Sequence, residues 1–381
     1  MSQPRVSFPL AQGTYSRQAH VAVPPNTFER EHARDGFAGP VSHLYHRHAP
    51  TSWTSWVGPH RPRLLDLNEL PGADSPWSVR PVVFNSRGSV RFWKLASSMK
   101  TLCRNADGDT LLLLHRGAGQ LFCDYGHLEI REGDFLLIPR GTMWRIETSG
   151  SCEFLMVETV GDRFTVPDRG MLGQHAQFDP AVLDIPQLDA AHFAQADMPG
   201  EWQVLGKRAG TTFQVTYPHN PLDVVGWKGD LCVLRLNVDQ IRPVVSPRYH
   251  LPPSVHTTFV SERIAICAFC PRPLESDPQA QRVPFFHSNE DYDELLFLHR
   301  GNFFSKDHLR AGMMTFHPSG FSHGPAPKAY RVGQQRSRDH TDEIGINIDF
   351  RDPLEVADLS AAVDIPDYAL SWTEYNEGEK R

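Results

Sequence analysis

Three side chains in the stretch 287–324, HSNEDYDELLFLHRGNFFSKDHLRAGMMTFHPSGFSHG, have the types and spacing of metal ligands: His287, Glu294 and His323. His287 and Asn289 lie two apart and so share one face of an extended strand. Glu294 opens the apolar run LLFL, which ends at Arg300-Gly301, and a second run, MMTF, leads through Pro318-Ser319-Gly320 to His323. Two imidazoles and one carboxylate held on neighbouring strands form the facial donor set of non-heme iron(II), with positions left open for a substrate and dioxygen. The plainer reading is ordinary polar residues at strand ends. The spacing favours the metal.

Such a face needs a rigid β scaffold, and the composition supplies one. The chain has 381 residues, 40% apolar, with 8 tryptophans for a core and 31 prolines and 28 glycines for tight turns. A net charge of −7 argues against a nucleic-acid footprint. No apolar run reaches membrane-spanning length, and MSQPRVSFPLAQ lacks the apolar core of a signal peptide, so a soluble cytoplasmic protein is expected. Six scattered cysteines make no disulfide framework. Cys267 and Cys270 form a CxxC inside the apolar run IAICAFC with no second pair to complete a zinc site, and read as buried strand cysteines.

Along the chain, residues 1–75 are polar and weakly periodic, an N-terminal arm. Within it HLYHRHAPTSWTSW carries His43, His46 and His48. No carboxylate or third ligand follows at a suggestive distance, so this segment reads as an ordered arm in preference to a metal site. Residues 76–160 are short apolar runs with turns between them, a sandwich or small barrel. Residues 161–225 form a connector with one short helix over QLDAAHFAQA. A second β-rich block spans 226–351. The remainder, 352–381, reads as a tail with a helix over VADLSAAV and an exposed acidic end.

The two blocks repeat one another. LLLLHRG (111–117) matches LLFLHRG (295–301), and GDFLLIPRGTMW (133–144) matches GMMTFHPSGFSH (312–323). Both second segments run glycine, five residues, proline, one residue, glycine, two residues and a final side chain. Two tandem copies of one sandwich are expected. Laid on the second copy, the first places Cys103 at His287, Thr110 at Glu294 and Trp144 at His323. These are poor iron ligands, so only the second copy should hold metal.

Residues 287–301 and 312–323 resemble the two motifs of the cupin superfamily, with Asn289 where many cupins carry a second histidine. The fold expected is therefore all-β dominated: a bicupin of two tandem jelly-roll β-sandwiches, with an N-terminal arm and short peripheral helices. YPHNPLDVVGWKGDL (217–231), PRYHLPPSVHTTF (247–259) and FCPRPLESDP (269–278), together with the two ligand segments, resemble homogentisate 1,2-dioxygenases. The likeness is densest over 215–330. It implies Fe(II) held by His287, Glu294 and His323, His256 as the base near the substrate hydroxyl, and Lys306 lining the pocket. It also implies a trimeric or hexameric homo-oligomer, with a small aromatic substrate and dioxygen as its reactants. Two tyrosines of the family are Phe285 and Phe303 here, and the His287–Glu294 interval is one residue longer. Phenylalanine cannot bind a carboxylate, which opens the substrate to related hydroquinones. His250 and Asn289 are further candidates for the same pocket, although for Asn289 the role of orienting a ligand is the preferred reading. His299, matched by His115 in the metal-free copy, and His317, matched by Ile138, read as structural.

The activity expected is an extradiol-type ring-cleaving dioxygenase. The alternatives are a metal cupin isomerase or hydrolase using Zn or Mn as a Lewis acid, and a non-catalytic bicupin that binds a small ligand.

Overall fold

The run LLLL is continuously apolar, as suits a strand, Thr110–Arg116, that is buried on both faces. In the computed structural model, which describes residues 10–303, 305–306, 308–335 and 338–373, strands dominate and α-helix is limited to Ala190–Ala196 and Pro327–Gln334. The chain forms two β-sandwich copies in tandem, as the repeat predicts. Leu111 and Leu113 enter a core shared by the two copies, while Leu112 and Leu114 fill the interior of the first. The strand Asp293–Arg300 repeats the arrangement, with Leu295 and Phe297 in the shared core and Leu296 and Leu298 facing the interior of the second copy. The two-residue period therefore puts Glu294 on the inward face and His299 on the shared one.

The shared core lies between a seven-stranded sheet centred on Thr110–Arg116 and Cys152–Thr159 and a six-stranded sheet centred on Ile344–Phe350 and Asp293–Arg300. A second six-stranded sheet, holding Leu102–Asn105 and Met143–Glu147, covers the other side of the first copy. In the second copy a three-stranded sheet of Phe286–Asn289, Phe28–Ala33 and Val41–His46 does the same. The N-terminal segment thus supplies strands as well as covering: Phe28–Ala33 pairs parallel with Phe286–Asn289, and Arg63–Asp66 adds to Met313–His317. In the connector, the helix expected over QLDAAHFAQA is Ala190–Ala196, its first turn capped by Asp189, which accepts from His192 N at 2.9 Å. The connector also forms a hairpin, Trp202–Arg208 with Thr211–Tyr217, which joins the first copy's sheet beside Leu102–Asn105.

The repeat is exact in register. Trp144 pairs across strands with Cys103, just as His323 pairs with His287, and Thr110 faces Ile138 as Glu294 faces His317. Gly117 and Gly301 both take positive φ, and a Cβ there would strike the carbonyl oxygens of Ser151 and Asp342. Where the second copy is hollow, Trp144 packs with Trp93 and Leu112. Buried Glu158 accepts there from Lys207 Nζ at 2.5 Å, Arg91 Nη1 at 2.9 Å and Asn105 Nδ2 at 3.0 Å.

Two expectations need correcting. VADLSAAV is not helical: Glu355–Val356 extends the seven-stranded sheet beside Val83–Phe84, and Val363 caps the second sheet by accepting from Asp66 N at 2.7 Å. The unforeseen helix is Pro327–Gln334, where proline at the first helical positions costs no hydrogen bond. Nor is the segment after 352 loose, since Trp372 is 1% exposed and its Nε1 donates to Pro325 O at 3.1 Å. The acidic end, 374–381, lies outside the described residues. All six cysteines are buried and free; Cys267 lies on the strand Ile264–Phe269, and Cys270 just follows it. Among the described residues no helix is long and apolar enough to cross a membrane.

His115 and His299 meet in the shared core, Nδ1 to Nδ1 at 2.9 Å, so one neutral ring donates to the other. Burial, reinforced by neighbouring positive charge, lowers their pKa values to about 3 and about 4. Unfolded, both titrate near 6.5, so protons favour the unfolded chain. Their contribution to stability is complete above about pH 6.5 and is lost as pH falls toward the folded values, at up to about 1.4 kcal/mol per pH unit for each ring. Urea midpoints at pH 7 and pH 5 measure this loss. His299→Gln is expected to shrink it, and an unchanged pH dependence would contradict the assignment.

Candidate metal centre and its cavity

His287, Glu294 and His323 converge inside the second copy, offering one ligand atom each from three different elements. His287 lies on Phe286–Asn289, and its backbone exchanges two hydrogen bonds of 2.9 Å with His323, which fixes the two rings 4.1 Å apart. Glu294 approaches from the facing sheet, with Oε2 3.1 Å from His323 Nε2 and 3.4 Å from His287 Nε2. The turn that carries His323 is held by Asp293, whose carboxylate accepts from Ser319 N at 2.8 Å and Leu354 N at 2.7 Å. Asp109 holds the matching turn of the first copy through Arg140 N and Phe164 N. The paired aspartates were legible in the repeat, as DT and DE before each apolar run, but carried no obvious chemistry there. Arg30 adds a tie from the N-terminal strand by donating to Ser322 Oγ at 2.9 Å.

The donors fit a first-row divalent ion. Ligands about 2.1 Å from such an ion and at right angles to each other lie about 3 Å apart. The 3.1 and 3.4 Å separations come close to that. Both His323 ring nitrogens and His287 Nδ1 are buried without a hydrogen-bond partner among the described residues. Burial, with the charges of His287 and Lys306 added, lowers the pKa of His323 to about 4, so it presents the neutral, ligating imidazole. Burial would raise Glu294, but His323, His287 and His317 outweigh it and hold the carboxylate ionised well below its usual range. On the neighbouring strand Asp349 is pushed the other way, by burial and by Glu294 itself, despite a bond from Asn347 Nδ2 at 3.1 Å.

The cavity beside this triad is lined by His256, His250, Phe285, Phe303, Leu296 and Lys306, and also by Arg272, Glu343, Asn347 and Ser305. The structure thus brings five of the sequence-predicted residues to the triad. His256 ends the turn Pro253–His256; it is buried, and its Nδ1 has no partner among the described residues. Burial, then the positive charge of Arg272 and of His250, hold its pKa well below 6.5, so the ring is neutral and free to accept a proton. His250 is fixed by Glu275 at 3.3 Å and packs on Phe285 at 4.5 Å. Lys306 donates to Gly324 O at 3.3 Å and forms no ion pair among the described residues; burial lowers its pKa to about 8. Asn289 is buried with both amide atoms unpartnered among the described residues, but it does not line the cavity, so its expected place as a substrate contact is not met.

Two features were missed. His317 is packed as expected, but against the site: it stacks on His323 at 4.6 Å and lies 3.5 Å from Glu294 Oε1 and 3.4 Å from Lys306 Nζ. The match to apolar Ile138 hid this. Arg272 Nη1 lies 3.4 Å from Glu343 Oε1 at the cavity wall, and nothing in local sequence links residues 71 positions apart.

Residues 83–238 match the family model described as homogentisate 1,2-dioxygenase N-terminal, a range that includes most of the first copy. A Saccharolobus solfataricus protein, named only provisionally as a dioxygenase, is 29% identical over 89% of this chain and 91% of its own length. Homogentisate 1,2-dioxygenases of Sinorhizobium fredii and Rhodopseudomonas palustris are 29% and 27% identical over 58% and 73% of this chain. The matches span 50% and 64% of those enzymes. In these comparisons the chain, a tandem sandwich with a candidate ligand set in one copy, is similar to homogentisate 1,2-dioxygenases, by a family model over its first copy and by relatives just under 30% identical.

Proposed function

We propose that the chain is an Fe(II)-dependent, extradiol-type ring-cleaving dioxygenase acting on homogentisate or a closely related hydroquinone, inserting both atoms of dioxygen. The observation that carries this reading is one cavity whose wall holds His287 and Glu294, two members of a 2-His-1-carboxylate cluster completed by His323 behind them, together with a buried, neutral histidine that has an unpartnered ring nitrogen. Fe(II) held by His287, Glu294 and His323 would supply oxygen activation and acidify a bound phenol. The rest of the chemistry lies with the chain. His256 Nδ1 takes the phenolic proton, and the neighbouring charge of Arg272 limits how long it keeps it. Phe285, Phe303 and Leu296 confine the ring and exclude water from it. His317 and Asp349 flank Glu294 on the two adjacent strands and fix the carboxylate's direction.

Lys306 bears on the substrate. An ammonium in the cavity wall without an ion-pair partner among the described residues favours an anionic group, and Arg272 adds a second cation to the same wall. Both compensate for the hydroxyls that Phe285 and Phe303 lack. Lys306→Met is therefore expected to raise KM for homogentisate about 10–100-fold, the worth of one charge-assisted hydrogen bond. KM for unsubstituted hydroquinone, which has no carboxylate, should hardly change. Equal effects on both substrates would remove Lys306 from carboxylate recognition.

The reading as a whole is tested by anaerobic loading with Fe(II), followed by oxygen uptake and ring-opening absorbance with homogentisate, gentisate and hydroquinone. Iron-dependent uptake of one dioxygen per ring opened is the expected result. Turnover without oxygen consumption would overturn it and leave a Lewis-acid isomerase or hydrolase.

A further inference from the structure

A second cluster of metal-ligating side chains lies outside the cavity just described. His20, Glu31 and His43 bring one ring nitrogen or carboxylate oxygen each within 4.8 Å of one another. The parallel pairing of Phe28–Ala33 with Phe286–Asn289 sets Glu31 beside His287, and the antiparallel pairing with Val41–His46 sets it beside His43. Glu29 and Glu31, two apart, share a face, as do His43 and Tyr45. His20 folds over that face from the preceding loop with a φ of 60°, a backbone conformation that few non-glycine residues adopt. Its Nε2 lies 3.0 Å from Glu31 Oε2 and its Nδ1 3.0 Å from Glu29 Oε2.

An imidazolium clamped between two carboxylates would account for His20, and their charges do outweigh burial to raise its pKa to about 9. That account leaves His43 unexplained. Its Nε2 is buried without a hydrogen-bond partner among the described residues and sits 3.8 Å from the same Glu31 oxygen that His20 approaches. Two imidazole nitrogens directed at one carboxylate oxygen reproduce the donor set of the first site. The surroundings favour a cation: Glu29 lies next to His20, and its other oxygen is held by Tyr45 at 2.9 Å.

We propose that His20 Nε2, Glu31 and His43 Nε2 bind a second divalent transition-metal ion, with Glu29 directing His20 through its Nδ1. The ion joins the loop at His20 to two strands of the sheet that carries His287. Phe285 separates the two centres, its ring 5.1 Å from that of His20 and 4.8 Å from that of His287. In sequence the cluster is hidden, because the partners of His43 lie 23 and 12 residues upstream of it.

The test loads metal-free protein with Zn(II), removes excess and counts bound zinc. Wild type is expected to hold two equivalents per chain, and His43→Ala and Glu31→Gln one each. His323→Ala loses the other equivalent, and the double variant His43→Ala/His323→Ala holds none. Zn(II) should also raise the Tm of His323→Ala but not of that double variant, which gives a readout independent of activity. Should His43→Ala fold poorly, His43→Phe fills the same volume without a donor. A single equivalent in wild type, or a second one that survives both His43→Ala and Glu31→Gln, would overturn the proposal and leave the imidazolium clamp. Neither result touches the triad at His287, whose equivalent is read separately through His323→Ala.

Discussion

Replacing His323 with alanine is expected to lower bound metal by one equivalent per chain and oxygen uptake by at least about 1,000-fold, with the fold retained. The physical basis is the donor count. His323 and His287 are locked together by two backbone hydrogen bonds that the substitution keeps, so the sheet survives. The ion, however, loses one of three ligands, and a bidentate His–Glu pair has far lower affinity. The first copy supplies the control. Trp144 occupies the equivalent place, fully buried in the core of the metal-free sandwich. Trp144→Phe should cost about 1–3 kcal/mol of stability through the cavity it opens while leaving metal content unchanged. Equilibrium dialysis with metal analysis, and urea unfolding of both variants, measure the two effects. Full occupancy in His323→Ala would refute the triad. Metal loss in Trp144→Phe would show that the copies are not functionally separate.

The second large effect is expected at His256. His256→Gln keeps most of the volume and removes the base, so kcat/KM should drop about 100- to 10,000-fold, the usual span for general-base removal. Metal content should stay the same, because His256 belongs to a different element from all three ligands. The pH profile separates a proton acceptor from a packing residue. Burial first, then Arg272 and His250, depress the histidine's pKa well below 6.5. An unperturbed histidine would begin to protonate near pH 6.5. Wild-type kcat/KM should instead stay level through that point and fall only at lower pH, as His256 gains its proton. A loss of less than about threefold in His256→Gln, with the pH profile intact, would make His256 a wall of the cavity and nothing more.

Much of the candidate site was legible because β-structure writes its geometry into local sequence. A period of two placed Glu294 on the inward face with Leu296 and Leu298, and the Gly-Pro-Gly spacing fixed where His323 follows Met313–His317. The duplication gave a second, independent copy against which each position could be compared. The structure keeps that comparison in register, with Cys103 and Trp144 paired as His287 and His323 are. His115 and His299, equivalent in the repeat, meet each other across the shared core.

What sequence did not contain was any contact closed over a long separation. Arg272 meets Glu343 because Ile264–Phe269 and Ile344–Phe350 are adjacent strands, a pairing that no local period announces. Trp372 returns from the C-terminal segment to pack beside His317 and Lys306, and the polar N-terminal segment supplies Glu31 beside His287. By itself the sequence determined the repeat, the candidate triad and the residues that replace it in the first copy, since each depends on residues within a few dozen positions. Only the tertiary structure decided which charges line the cavity and which N-terminal side chains cluster beside it. Those depend on which strands become neighbours, and burial of the whole chain selects that pairing.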